Sequence, residues 1–381
     1  MERTLRRGLV GLMLCIGACQ GRGGSPGGTP PEQPADAEVT EAPVVASTTP
    51  ERALDLQALP GTIHFVSERD GNLEVYRWRA GASVERLTDD PRDDFVAEVA
   101  PGGQGWTRVR TAGGHDAQQY REGLTWMAAG GPGVDFGAIG RRARSPSWSL
   151  QRDFVVFESD DQSRFSDLWR WDGHGAPRRL TTTRDGAFEP AVSPDGQHIA
   201  YVSSDPGNPE IFVMDADGSE PRRLTHWRRD DLSPRWSPQG STVAFLRRER
   251  GGVRLQRLEL HDDGTHEERP LVITQPGERV RHAEHRWSPD GQRIAYTVHR
   301  PGVAAQVVVT ELATGQTQVV SPPGLTASMP SWSPQGSHLV VAAFEDDPDA
   351  MDLHIVEVAT GASARLTDDP APDWLPYWSA G

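Results

Sequence analysis

Phe188 to Thr225 reads FEPAVSPDGQHIAYVSSDPGNPEIFVMDADGSEPRRLT, in which short apolar or alternating stretches are separated by clusters of turn residues. The runs HIAYVS and EIFVMD are rich in β-branched and aromatic residues, as strands require. SPDG is a hairpin turn: Pro194 presets φ, Asp195 tolerates the bridge region and Gly196 supplies a positive φ. DADG turns the chain again, and RRLT follows as a short outer strand. The unit is therefore four antiparallel strands, and the same pattern recurs from Gly61 onward. Aligned on the residue before the first turn, the copies give seven anchors: Val99, Trp148, Val192, Trp236, Trp287, Trp332 and Trp378, spaced by 49, 44, 44, 51, 45 and 46 residues. Periods above forty residues with four strands each indicate propeller blades.

The two ends of the repeat are incomplete in complementary ways. LPYWSAG, at the C-terminus, has the first strand of a copy and no more; TIHFVSERDGNLEVYRWRAGASVERLTDD, from Thr62, has the later strands and lacks the first. Pairing one with the other closes a ring and leaves no exposed sheet edge. The expected fold is all-β, a seven-bladed β-propeller of four-stranded antiparallel blades, closed by pairing of the C-terminal strand with the N-terminal strands. The expected division is 1–18 signal peptide, 19–60 Pro/Gly/Ala-rich tether and 61–381 propeller.

The motifs PRWSPQG, HRWSPDG and PSWSPQG, with GNPEIFVMDADG and RRLT, resemble the TolB-type β-propeller repeat, a relative of WD repeats common in bacterial envelope proteins. The resemblance covers Gly61 to Gly381 and is specific to fold, since the same repeat serves in binding proteins, in propellers of prolyl-oligopeptidase-like enzymes and in oligogalacturonate lyases. TolB carries an α/β domain ahead of a six-bladed propeller. Here a tether stands in that place and seven blades are counted. What the resemblance implies is an envelope scaffold whose propeller face or channel binds a protein or peptide.

The N-terminus adds a location. MERTLRR is basic, GLVGLMLCIGA is apolar but too short to span a bilayer, and IGAC resembles the lipobox of bacterial lipoproteins. That resemblance implies cleavage before Cys19 and lipidation of its thiol, which would anchor the chain to a membrane. Gln20 after the cysteine favours the outer membrane, facing the periplasm, with the cell surface as the other site. From Gln20 to Pro60 the chain is too poor in apolar residues to fold alone. GGSPG within it matches the serine-hydrolase elbow but has no strand or helix around it, so Ser25 is linker.

Charge and cysteines narrow the chemistry. All 39 basic residues are Arg, and the net charge is −15. Such an acidic chain disfavours nucleic acid and favours an envelope protein or peptide with a basic surface, the chain itself being a monomer. With Cys15 lost in the signal and Cys19 acylated, no thiol is left for disulfides, zinc or nucleophilic catalysis.

Candidate site residues come from the segment before each anchor, expected at the channel mouth. Asp94, Asp231, His282 and Asp373 stand five before it, and Glu189 and Glu284 three before; with His285 they would form an acidic ring with two imidazoles. The bland alternative is that each Asp caps its own loop. HAEH (His282, Glu284, His285) invites a metal reading, but H-x-x-H on a strand puts the imidazoles on opposite faces, so no metal and no cofactor is assigned. No catalytic residue is assigned either. The expected function is a lipid-anchored, non-enzymatic binding scaffold. Two other readings stand beside it: a propeller enzyme, such as a metal-dependent carbohydrate lyase or a lactonase, and a glycan-binding lectin using Trp374 or Trp227.

Overall fold

A computed structural model describes residues 54–99, 105–112, 121–128, 133–135, 142–149, 154–160, 165–261, 264–272 and 281–380. It is a ring of seven blades, each a four-stranded antiparallel sheet, numbered here from the N-terminus. Asp373–Ser379 is the innermost strand of blade 1 and pairs antiparallel with Thr62–Ser67, which continues to Glu74–Trp78 and Glu85–Arg86. The innermost strands of blades 2 to 7 are Asp94–Val99, Ala143–Trp148, Ala187–Val192, Asp231–Trp236, Arg281–Trp287 and Thr326–Trp332. The second copy, anchored on Val99 rather than Trp, forms a full blade. Blades 5 and 6 also touch through one parallel bridge, Val253 to Arg281.

The strands are buried on both faces because each blade lies between two others. In His198–Ser203 of blade 4, Ile199 and Tyr201 pack with Phe154, Val156 and Leu168 of blade 3. Ala200 and Val202, on the other face, pack with Val243 and Phe245 of blade 5. Strand alternation thus feeds two seams from one strand. Seven apolar clusters fill the seven seams. The closing seam, between blades 7 and 1, holds Val340, Ala342, Leu353 and Ile355 against Ile63, Phe65, Tyr76 and Trp378.

Residues 54–60 belong to this seam, not to the tether. Leu56–Ala58 make one 3-10 turn, Leu59 is buried, Leu54 and Leu56 pack on the cluster, and the Trp378 indole donates to the Pro60 carbonyl at 2.9 Å. Gly61 follows with φ 85°, and a Cβ there would lie 2.2 Å from the Ser379 carbonyl oxygen. Only glycine lets the closing strand pass so near.

The RLT motif has a structural reason in four blades. Thr225 Oγ1 accepts from the Ile211 amide at 2.9 Å and donates to Glu210 at 2.5 Å, while Arg223 pairs with Glu210 at 3.0 Å. Thr88, Thr181 and Thr367 do the same with Glu74, Asp167 and Asp352, partnered by Arg86, Arg179 and Arg365. A hydroxyl that both donates and accepts closes the buried network. Thr225→Val keeps the shape but strands the buried Ile211 amide and takes one donor from the Glu210 carboxylate, which keeps Arg223. It should lower stability by about 1–3 kcal/mol in urea unfolding, with Thr225→Ser losing much less.

Candidate functional site

Every innermost strand carries a β-bulge, seen as a register shift against the second strand. In six of them the residue three before the anchor is left-handed: Ser145, Glu189, Ser233, Glu284, Met329 and Leu375 have φ between 49° and 57°. None is glycine, so the surroundings must hold the conformation. Three are held by a carboxylate of the preceding blade, which takes the amide freed from the ladder. Glu189 N donates to Glu158 at 3.1 Å, Ser233 N to Glu189 at 2.7 Å and Met329 N to Glu284 at 2.7 Å. Proline follows in five blades and removes a donor the bulge would leave unpaired; in blade 6 the residue is His285.

The expected ring of seven residues is not assembled. Asp94, Asp231 and Asp373 have no solvent exposure and His282 is 3% exposed. Each is spent within the fold. Asp94 pairs with Arg108 and Arg110 at 3.2 and 3.0 Å, Asp231 with Arg247 at 2.7 Å, and Asp373 with Arg69 at 2.7 Å. His282 Nδ1 accepts the Leu255 amide at 2.9 Å, the task done by the RLT threonine in other blades. Burial, with Arg254 and Arg300, holds its pKa down to about 3. The capping alternative also needs amending, because the aspartates serve arginine side chains of the next strand or, for Arg69, of the turn just after it. Glu189 and Glu284 form a second set, the bulge stitches. His285 is 2% exposed, donates to the Ala244 carbonyl and leaves Nε2 without a partner. Cys19 lies outside the described residues. Of the two tryptophans considered for glycan binding, Trp374 is buried in the seam of blades 1 and 2, and Trp227 donates to the Arg248 carbonyl with Arg247 over its ring.

The side chains that converge on the axis stand one before each anchor. Ser147 and Ser331 turn to the next blade, accepting the amides of Val192 and Trp378 at 3.0 and 2.9 Å. Glu98 does likewise for Trp148 with one oxygen, while Oε2 is buried without a partner. The guanidiniums of Arg235 and Arg286 have no acceptor to offer in this way. Glu98 in blade 2 lies in the field of Arg235 and Arg286 in blades 5 and 6, and Tyr377 in blade 1 in the field of all three. Interactions between blades so far apart in a ring run across its centre. Burial raises the Glu98 carboxyl to about 7 despite both guanidiniums, and lowers Arg286 to about 10 together with repulsion from Arg235. The backbones of the two arginines are fixed by neighbouring anchors: Trp287 donates to the Arg235 carbonyl and Trp332 to that of Arg286, both at 3.0 Å. Sequence reasoning passed over this position. Its signal was the departure from small residues, Ser147, Ala191 and Ser331, to Glu98, Arg235, Arg286 and Tyr377.

Comparison with known proteins agrees with this architecture. Residues 143–277 match the tricorn protease N-terminal beta propeller domain, and residues 262–381 match the TolB beta propeller domain. A Protein TolB homolog of Chlorobium luteolum is 29% identical over 154 residues, 40% of this chain and 34% of that protein. The chain thus spans about a third of the length of this curated relative. Among solved structures, a puromycin-hydrolyzing peptidase of Mycobacterium tuberculosis superposes with a TM-score of 0.60 at 18% identity, over 86% of this chain and 56% of that one. TolB from Acinetobacter baumannii gives 0.52 at 19% identity, over 84% and 66%. At such identities the likeness is one of fold. With its seven anchors, its RLT networks and its closing strand, the chain is a seven-bladed β-propeller built of TolB-type repeats.

Proposed function

We propose that this chain is a binding scaffold of the bacterial cell envelope, without catalysis, anchored through Cys19 in the outer membrane and holding a protein or peptide at its propeller. The observation that carries the reading is the axial cluster of Glu98, Arg235, Arg286 and Tyr377, charged groups with recognition chemistry and no nucleophile–base pair among them. The TolB-type repeats and the lipobox-like IGAC support an envelope location. The net charge of −15 steers a partner with a basic surface toward the ring. The puromycin-hydrolyzing neighbour is matched over just over half its length, and what it shares with this chain is the fold.

Two measurements test the reading. Palmitate should label the full-length chain in a bacterial host, and Cys19→Ser should lose the label. Chemical crosslinking in intact cells followed by capture should return one stoichiometric envelope protein whose yield falls as salt rises. Unlabelled wild type would refute the anchor. Capture of no partner, together with turnover of a peptide or oligogalacturonide by the purified chain, would refute the scaffold.

A further inference from the structure

We propose that Arg235 and Arg286 form an anion site on the propeller axis that receives a carboxylate from a polypeptide segment entering the channel. The proposal rests on the binding-scaffold reading above and names the chemistry of its ligand.

Four observations meet at this point. Among the described residues, neither guanidinium has a carboxylate within ion-pair distance, whereas Asp94, Asp231 and Asp373 each hold an arginine within 3.2 Å. Among the described residues the Arg286 side chain makes one hydrogen bond, to the His285 carbonyl at 3.1 Å, and the Arg235 side chain makes none. Arg286 lies in the field of Arg235, so two like charges from adjacent blades act on each other at the channel. Such a pair is unfavourable until an anion is placed between, and a planar guanidinium takes a carboxylate in bidentate fashion. Two further polar atoms are left open in the same field, Glu98 Oε2 and Nε2 of the 2%-exposed His285.

A polypeptide fits better than a small solute for a reason of topology. In six blades the innermost strand is the last in its sheet, and in blade 6 it is bridged to blade 5 only at Arg281, so strand edges face the axis around the ring. Their backbone donors and acceptors, with the Tyr377 hydroxyl, can bond the peptide units that follow a bound carboxylate.

Glu98 makes the site sensitive to pH. It faces Arg235, Arg286, Tyr377 and the Trp148 amide; His285 stays neutral because burial and both arginines hold its pKa well below the usual imidazole value. Above pH 7 the ionised Glu98 neutralises part of the guanidinium charge and competes with a ligand; below it, the neutral carboxyl withdraws. Anion binding therefore tightens as pH falls from 8 to 6. A coupling of one pKa unit would make this about tenfold.

Calorimetric titration of the full-length chain with citrate tests the site. Saturable one-site binding is expected, up to about tenfold tighter at pH 6 than at pH 8. R235A/R286A should weaken it tenfold or more while melting no lower than wild type, since a repulsive pair is removed. E98Q should bind at pH 8 as wild type does at pH 6. A pool of random hexapeptides with free C-termini should be retained and displaced by citrate, and the same pool amidated should be retained less. Equal citrate affinity in wild type and R235A/R286A would overturn the site. Citrate binding without any preference for free acids would overturn the polypeptide ligand. An envelope partner captured equally by R235A/R286A would leave the scaffold standing and this site refuted.

Discussion

Deletion of residues 373–381 should leave a chain that does not fold into a ring. The missing segment is the innermost strand of blade 1, and its loss bares the edge of Thr62–Ser67. It also removes Trp374 and Trp378, each less than a tenth exposed, and unpairs Arg69 from Asp373. A buried Trp replaced by Ala costs about 3–5 kcal/mol, and losing two with a whole ladder reaches the 5–15 kcal/mol by which domains are stable. The truncated chain should show no cooperative melt by circular dichroism and an expanded hydrodynamic radius. Adding a peptide of residues 366–381 should restore both. A truncated chain that melts cooperatively within a few degrees of wild type would show that closure is dispensable.

Asp231→Ala should be nearly as damaging by a different route. Arg247 is 6% exposed and lies between Asp231 and Glu268. Removing Asp231 leaves a guanidinium in the wall of blade 5 with a partly exposed partner, at a cost of about 3–5 kcal/mol. Replacing both members, Asp231→Leu with Arg247→Met, should recover most of the loss, because the apolar pair has no charge to desolvate. Urea unfolding of the single and double variants measures the cycle. If Asp231→Ala instead unfolds like wild type and binds partners less well, the aspartate belongs to recognition after all.

Closure was legible in the sequence because half-copies at the two ends demand each other, and five Trp and two Val anchors kept the frame through seven blades. The direction of side chains on the innermost strand was not. Counting by two places Ala187 and Ala191 on one face, yet Ala187 packs toward blade 3 with Val192, and Ala191 toward blade 5. The bulge between them inserts a residue and exchanges the faces upstream. The same inversion turns Asp231 away from the face used by Arg235. The anchor frame therefore pointed to the aspartates as channel groups, when the residue beside the Trp was the one on the axis. No spacing rule announces a left-handed residue at Ser233 or Met329, where a carboxylate from another blade supplies the reason.

The sharing of each strand between two seams decides where this molecule can change length. A one-residue deletion within His198–Ser203 would move Ile199 and Tyr201 into the space of Ala200 and Val202, overfilling one boundary and emptying the other at once. The frame thus rejects small insertions with twice the force of a one-sided sheet. The anchor spacings of 49 and 51 residues come with longer second and third strands, Gly105–Ala112 with Arg121–Ala128 and Thr242–Arg248 with Val253–Leu260, than the spacings of 44, so length is added where strands run on at their ends. A hairpin that lengthens by pairs at its tip leaves both seams in register, so the surface that meets other molecules can be rewritten while the ring behind it keeps the same count.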